Sequence, residues 1–142
     1  MMEVSDVRKR VREAIERARR QAAARRSRNE EAERAFEQLL ESVAVPLFRQ
    51  LANVLKLEGY PFSVFTPAGS VRLMSDRSGE DYIELALDTS GDAPRVFGRV
   101  GRSRGRRVIN DERVVASGAP ESITEEDVLA FVLKELEPFV ER

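Results

Sequence analysis

The 142-residue chain contains no cysteine and no histidine. Without cysteine there is no disulfide framework, no thiolate metal site and no thiol nucleophile. Without histidine the commonest general base, the usual zinc ligand and the usual pH switch are missing too, and composition alone excludes Ser-His-Asp and Cys-His catalysis. Neither GxxxxGK[ST] nor GxGxxG occurs, which leaves nucleotide binding of those kinds unsupported. No apolar run approaches the ~18 residues of a membrane span. The N-terminal segment is too charged for a secretory leader. These absences lead us to expect a cytoplasmic, non-enzymatic protein with no cofactor, no metal and no membrane partner. The chain is long enough to bury a core without staples.

The charge is what is abundant, and it is segregated. A net charge of −1 conceals ten basic against four acidic side chains in residues 1–28, and three against six in residues 29–58. The balance is two against six in residues 59–94, seven against two in residues 95–118, and two against seven in residues 119–142. Patches of opposite sign on one molecule favour self-association or specific partners.

Ser5 or Asp6 can cap a first helix, and Val4, Val7, Val11, Ala14 and Ala18 follow at steps of three and four. This narrow seam is of the coiled-coil kind, and Gln21, Arg25 and Arg28 weaken it further along. Asp6 with Arg10, Glu13 with Arg17 and Glu16 with Arg20 are spaced as i,i+4 pairs, each contributing roughly 0.2–0.5 kcal/mol. Arg8, Lys9, Arg12, Arg19, Arg25, Arg26 and Arg28 have no such partner and spread around the helix outside the seam. Ser27 with Glu30 can form a new capping box, so the helix either runs on or restarts near residue 28.

From Ala32 the apolar stripe widens. Phe36, Leu39, Leu40, Val43, Leu47, Leu51, Val54 and Leu55 make a face suited to packing on a sheet. Pro46 cannot donate to the carbonyl of Ser42, which predicts a kink or a break near Val45. Gly59 and Pro61 end the helix.

The alternation in Tyr82-Ile-Glu-Leu-Ala-Leu-Asp88 marks the middle strand of an antiparallel sheet. Residues 62–66 and 71–75 form a hairpin before it, with Val64 facing Leu73 and Phe65 facing Arg72. Matching apolar sides sets Leu73 against Leu85 and Val71 against Leu87. On the other edge Asp88 pairs with Arg95, Leu87 with Val96, Glu84 with Arg99 and Ile83 with Val100. Arg95 and Arg99 are then ordinary cross-strand ion partners rather than part of a base-stacking face. The opposite sheet face collects Phe65, Met74, Tyr82, Ala86 and Phe97, which a helix or a second subunit is expected to cover.

Gly101-Arg-Ser-Arg-Gly-Arg-Arg107 reads as a tight hairpin turning at Arg104-Gly105, with Val100 opposite Ile109. Arg102, Arg104, Arg106 and Arg107 suit phosphate oxygens or a carboxylate surface. Asp111, Glu112 and the acidic C-terminal helix offer internal neutralisation. Val114-Val115 adds a short edge strand. A final helix starts at Ser122 or Thr124, buries Val128, Leu129, Val132, Leu133, Leu136 and Val140, and stops or kinks at Pro138. Asp76, Glu80, Asp81 and Glu84 crowd one turn, but they lack EF-hand spacing and Arg77 interrupts them, so a solvated turn is favoured over a cation site.

The expected architecture is α+β. A basic helical arm (residues 1–28) precedes a single domain (residues 29–142) made of an amphipathic helix, a four- or five-stranded antiparallel meander and a closing helix. The expected function is an interaction or scaffolding protein that forms a homodimer, through Val7, Val11, Ala14 and Ala18 or through Phe65, Met74 and Phe97. The alternative is a contact with nucleic acid, or with an acidic protein surface, made by the arm and the Arg102–Arg107 turn together. A small-molecule pocket between sheet and helices is a third reading, for which the sequence offers no residue set.

Overall fold

A computed structural model describes residues 1–141. Helix α1 spans Val4–Leu39, a wide π-helical turn spans Leu40–Ala44, and α2 spans Val45–Leu57. The restart near residue 28 does not occur, and α1 runs unbroken for 36 residues. Alanine and arginine, which fill residues 22–28 apart from one serine, are among the best helix formers, so nothing there favours a break.

The irregularity expected near Val45 is present, and it takes the form of the π-helical turn at Leu40–Ala44, with no gap between the two helices. Leu39, Leu40, Ala44 and Val45 all keep right-handed helical geometry, and the Val45 N–H donates to the Leu40 carbonyl, five residues back. Widening one turn moves the Ser42 carbonyl away from the proline ring, and Pro46 sits in the first turn of α2, where a missing N–H is tolerated. The extra residue in that turn rotates the apolar stripe. Ala44 in the turn and Phe48 beyond it are fully buried, Leu47, Ala52 and Leu55 are buried, and Val54 is exposed. Of the expected stripe, Phe36, Leu39, Leu40, Leu47 and Leu55 are buried and Val43 and Leu51 pack half-buried against the core, while Val54 turns outward and Ala44, Phe48 and Ala52 join the buried side.

Gly59 closes α2 at φ +91°. Its N–H bonds to the Lys56 carbonyl at 3.1 Å, and that of Tyr60 to the Leu55 carbonyl at 2.7 Å. These two bonds form a Schellman close, which requires the left-handed conformation that glycine adopts without strain.

Five strands follow as an antiparallel meander in the order β1-β2-β3-β4-β5. They are β1 Phe62–Phe65, β2 Ser70–Ser75, β3 Tyr82–Asp88, β4 Arg95–Arg104 and β5 Arg107–Val114. The β1–β2 and β3–β4 registers match the sequence expectation, including Val64 opposite Leu73, Glu84 opposite Arg99 and Asp88 opposite Arg95. Two registers differ. Leu73 lies opposite Ile83 and Val71 opposite Leu85, because the connecting loop closes early, with the Ser75 N–H donating to the Asp81 carbonyl at 2.9 Å. Val100 lies opposite Asp111 and Arg102 opposite Ile109, because the two-residue turn falls at Gly105-Arg106. Each shift is an even number of residues, so no side chain changes face. The edge strand is also longer than the expected Val114-Val115 piece.

The helices pack on one face of the sheet. Val71, Leu73, Ile83, Leu85, Val96 and Val100 of that face are fully buried. Helix α2 lies over β1 and β2. Helix α3, Glu125–Val140, places Phe131 directly over Gly98 and sets Phe139 edge-on to Phe62, with ring centroids 6.0 Å apart. Thr124 and Asp127 form the capping box, with backbone-to-side-chain bonds of 3.0 and 3.1 Å. Pro138 does not stop α3. Its buried row is Val128, Val132, Leu136 and Phe139, together with Glu135. Leu129 is half-buried and packs against the core, but the expected burial of Leu133 and Val140 fails, since both lie on the next row and are exposed.

Among the described residues no helix is long and apolar enough to cross a membrane.

Candidate functional site

The arm is the most exposed part of the molecule. Residues 1–21 are all exposed, and burial begins only at Ala32 and Phe36. Val4, Val7, Val11 and Ile15 are 76, 45, 51 and 45 % exposed, and Ala14 and Ala18 are exposed beside them. At ~100° per residue these residues fall on the same side of α1 as Ala32 and Phe36. The seam is thus a continuation of the core-facing stripe past the end of the sheet. Ile15 belongs to it but was absent from the three-and-four spacing, which steps through its neighbour Ala14.

Arg8, Lys9, Arg12, Arg19, Arg25, Arg26 and Arg28 are all exposed. The expected i,i+4 ion pairs of the arm are not closed: among the described residues the recorded ion pairs all lie between Arg72 and Glu135. A solvated pair of this kind gains only a few tenths of a kcal/mol, about what holding two long side chains costs.

Where α1 meets the sheet, a groove of about 780 Å³ opens between the helix and the β1–β2 turn. Val45, Leu87, Pro67 and Ala68 give it apolar surface over a floor of buried Phe36 and Leu40, Glu33, Glu37 and Glu41 line its helical side, and no basic side chain lines it. The acids follow from i,i+4 spacing beside Phe36 and Leu40, a signal the sequence carries but that acquires meaning only once the turn at Thr66–Ser70 is opposite.

The two positive segments are not brought together. In a meander the β1–β2 and β3–β4 turns share one end of the sheet, and the β4–β5 turn lies at the other. The groove places α1 at the first end, whereas Arg102 and Arg104 line a hollow with Pro138 and Glu141 at the second. Arg102 is mostly buried and lies 3.6 Å from Asp111, while Arg104, Arg106 and Arg107 are exposed. Asp111 also meets Arg113 at 3.5 Å, and Arg113 donates at 2.7 Å to the buried carboxylate of Glu135. The acidic face of α3 is tied to β5 by this chain.

The sheet face away from the helices is uncovered by any helix, contrary to one of the two expected covers. Its centre is instead occupied by its own charges. Arg72, Glu84, Arg99 and Glu112 stand in register across β2, β3, β4 and β5. Arg72 contacts one oxygen of the buried Glu84 carboxylate at 2.8 Å through both Nε and Nη2, and Arg99 contacts the other at 3.3 Å and Glu112 at 3.3 Å. The Arg72 guanidinium lies 4.2 Å from the Tyr82 ring centroid, and that of Arg99 lies 5.4 Å from Phe97. Arginine planes therefore shield two of the aromatic residues. Met74, Ala86 and Phe97 are half-buried, and Phe65 remains 46 % exposed at the edge.

Tyr82 crosses this face to donate its hydroxyl to Asn110 at 3.2 Å. It passes directly over Gly101, where an added Cβ would sit 2.3 Å from the ring and 2.8 Å from the Glu80 carbonyl. Gly101→Ala is accordingly expected to destabilise the fold by about 1–3 kcal/mol through overpacking. A urea midpoint unchanged from wild type would show that Tyr82 swings away freely.

The acids of the β2–β3 loop are engaged separately. Asp76 accepts from the Ser63 hydroxyl, and Asp81 accepts from the Ser103 N–H at 2.9 Å. At the β3–β4 turn the Ser90 hydroxyl and N–H both donate to Asp88, which lowers its pKa below the usual carboxylate value, with a smaller contribution from Arg95. The stabilisation from this group is present above its ordinary pKa and is lost as pH falls through the lowered one.

Comparison with family models, with curated proteins and with solved structures returned no match. The class the fold defines is α+β, with helices on one face of a five-stranded meander and a long helix projecting from one end.

Proposed function

We propose that this protein is a non-enzymatic interaction module that self-associates through its helical arm. The observation that carries this is the exposed Val4, Val7, Val11 and Ile15 seam, in phase with the buried stripe of the same 36-residue helix. Most helical stability in proteins comes from packing an amphipathic face rather than from propensity. A second helix laid along the seam supplies that packing. The sheet face is the weaker candidate for self-association, because its aromatic residues are already shielded by Arg72 and Arg99.

The alternative, a nucleic-acid contact by arm and turn together, loses support from the separation of the two along the sheet. Light scattering on the full chain and on a chain starting at Asn29 tests the proposal. A dimer that becomes a monomer on removal of the arm is expected. A full chain that stays monomeric at tens of micromolar sinks the proposal. If that monomer binds DNA or RNA with a steep salt dependence, the nucleic-acid reading takes its place.

A further inference from the structure

The self-association proposed above leaves open what each arm lies against. One flank of α1 answers it. At ~100° per residue, Arg8, Arg12, Arg19 and Arg26 share a flank with Glu30, Glu33, Glu37 and Glu41. The stripe is basic in its N-terminal half and acidic in its C-terminal half. A helix with that polarity repels a parallel copy in register and complements an antiparallel one.

From this we infer that two copies pair antiparallel along α1, each arm seated in the acid-lined groove of the other copy. The inference rests on the self-association reading and adds its geometry. The groove and the arm match in both respects that matter. The groove presents Val45, Leu87, Pro67 and Ala68 around a floor of buried Phe36 and Leu40, lies beside Glu33, Glu37 and Glu41, and has no basic lining. The arm offers Val4, Val7 and Val11 beside Arg8 and Arg12, all exposed.

A single register satisfies both ends. With the two-fold axis between Ala22 and Ala23, Arg8 of one copy lies opposite Glu37 of the other, and Arg12 opposite Glu33. Val4 then reaches the level of Glu41. From Ala22 to Val4 the helix rises about 27 Å, the same rise as from Ala23 to Glu41. The crossing point falls on Ala22-Ala23-Ala24, where small side chains let two helices approach closely. The same register opposes Arg19 to Arg26, a like-charge cost near the axis. Arg25, on the seam itself, must carry its guanidinium outward along its own stem. These two features make the dimer modest in affinity rather than permanent, and by symmetry every favourable contact occurs twice.

Charge reversal tests this geometry. The Arg8→Glu/Arg12→Glu chain and the Glu33→Arg/Glu37→Arg chain each set like charges together at both ends of the homodimer. Each is expected to raise the dimer Kd roughly tenfold or more at low salt. Mixing the two chains, or placing all four changes in one chain, restores opposite charges at the 8–37 and 12–33 contacts and is expected to return the Kd to near the wild-type value. The absence of native cysteine allows a second readout. Arg8→Cys/Glu37→Cys is expected to form an intermolecular disulfide on oxidation, whereas Val7→Cys alone is not. If wild type is a dimer but mixing fails to restore affinity, or Val7→Cys links to itself efficiently, the antiparallel groove-seated geometry is wrong while self-association stands. If wild type is a monomer, both fall.

Discussion

Phe48→Ala is expected to lower stability by about 3–5 kcal/mol, the usual cost of a large cavity beneath a helix. Phe48 is fully buried and sits in the first turn of α2, immediately after the π turn. Val54→Ala on the same helix is expected to change stability by less than about 1 kcal/mol, since Val54 is mostly exposed. The pair tests the wide turn itself. An uninterrupted α-helix through Pro46 turns Val54 toward the sheet and Phe48 partly away, which would bring the two losses together or reverse them. Denaturant midpoints at one fixed protein concentration make the comparison, because association couples to apparent stability.

The π turn also marks where the sequence ceased to be sufficient. Proline at residue 46 was a legible problem for the helix, but its resolution was not, since a break, a kink and a widened turn all relieve the same clash. Which one forms depends on whether the displaced stripe still finds a core, and that is settled by Ala44 and Phe48 against the sheet. The strands were easier. Alternation specified each buried face, so the two register errors, at β2–β3 and β4–β5, were slips of two that left every face intact. Loop closure by Asp81 and the position of the Gly105-Arg106 turn decided them, and neither is encoded in hydrophobic pattern. In α3, period alone could not choose between the row containing Leu133 and Val140 and the row containing Phe139. Phe62 chose the second by offering an edge contact.

The surfaces were less legible than the fold. The seam of the arm could be read from Val7, Val11, Ala14 and Ala18, because helical phase is a local property. The separation of the arm from the Arg102–Arg107 turn could not, because it depends on which end of the meander receives α1. Likewise the sheet face read as an aromatic surface in need of a cover. Sequence register pairs Arg95 with Asp88 and Arg99 with Glu84, but it sets Arg72 opposite Phe65 with no carboxylate partner. Strand alternation does not reveal that Arg72 and Arg99 both converge on Glu84, or that their planes lie beside Tyr82 and Phe97.

That convergence makes Glu84 the second position of large expected effect. Its carboxylate is buried, with Arg72 on one oxygen and Arg99 on the other. Removing one member of a buried ion pair typically costs 3–5 kcal/mol, because the remaining charge is left without compensation. Here both arginines keep partial access to water, 28 and 37 % for their side chains. The loss for Glu84→Ala is therefore expected nearer 2 kcal/mol. Glu112→Ala removes the outermost carboxylate of the same row, which is well exposed, and is expected to cost less than about 0.5 kcal/mol. Arg72→Ala combined with Glu84→Ala should cost less than the sum of the two single changes, since both remove the same contact. Equal small losses at residues 84 and 112 would mean that solvent screens the whole row. The face would then be a mobile charged surface, free to open its aromatic residues to a partner, and the preference for the arm as the contact would lose one of its two supports.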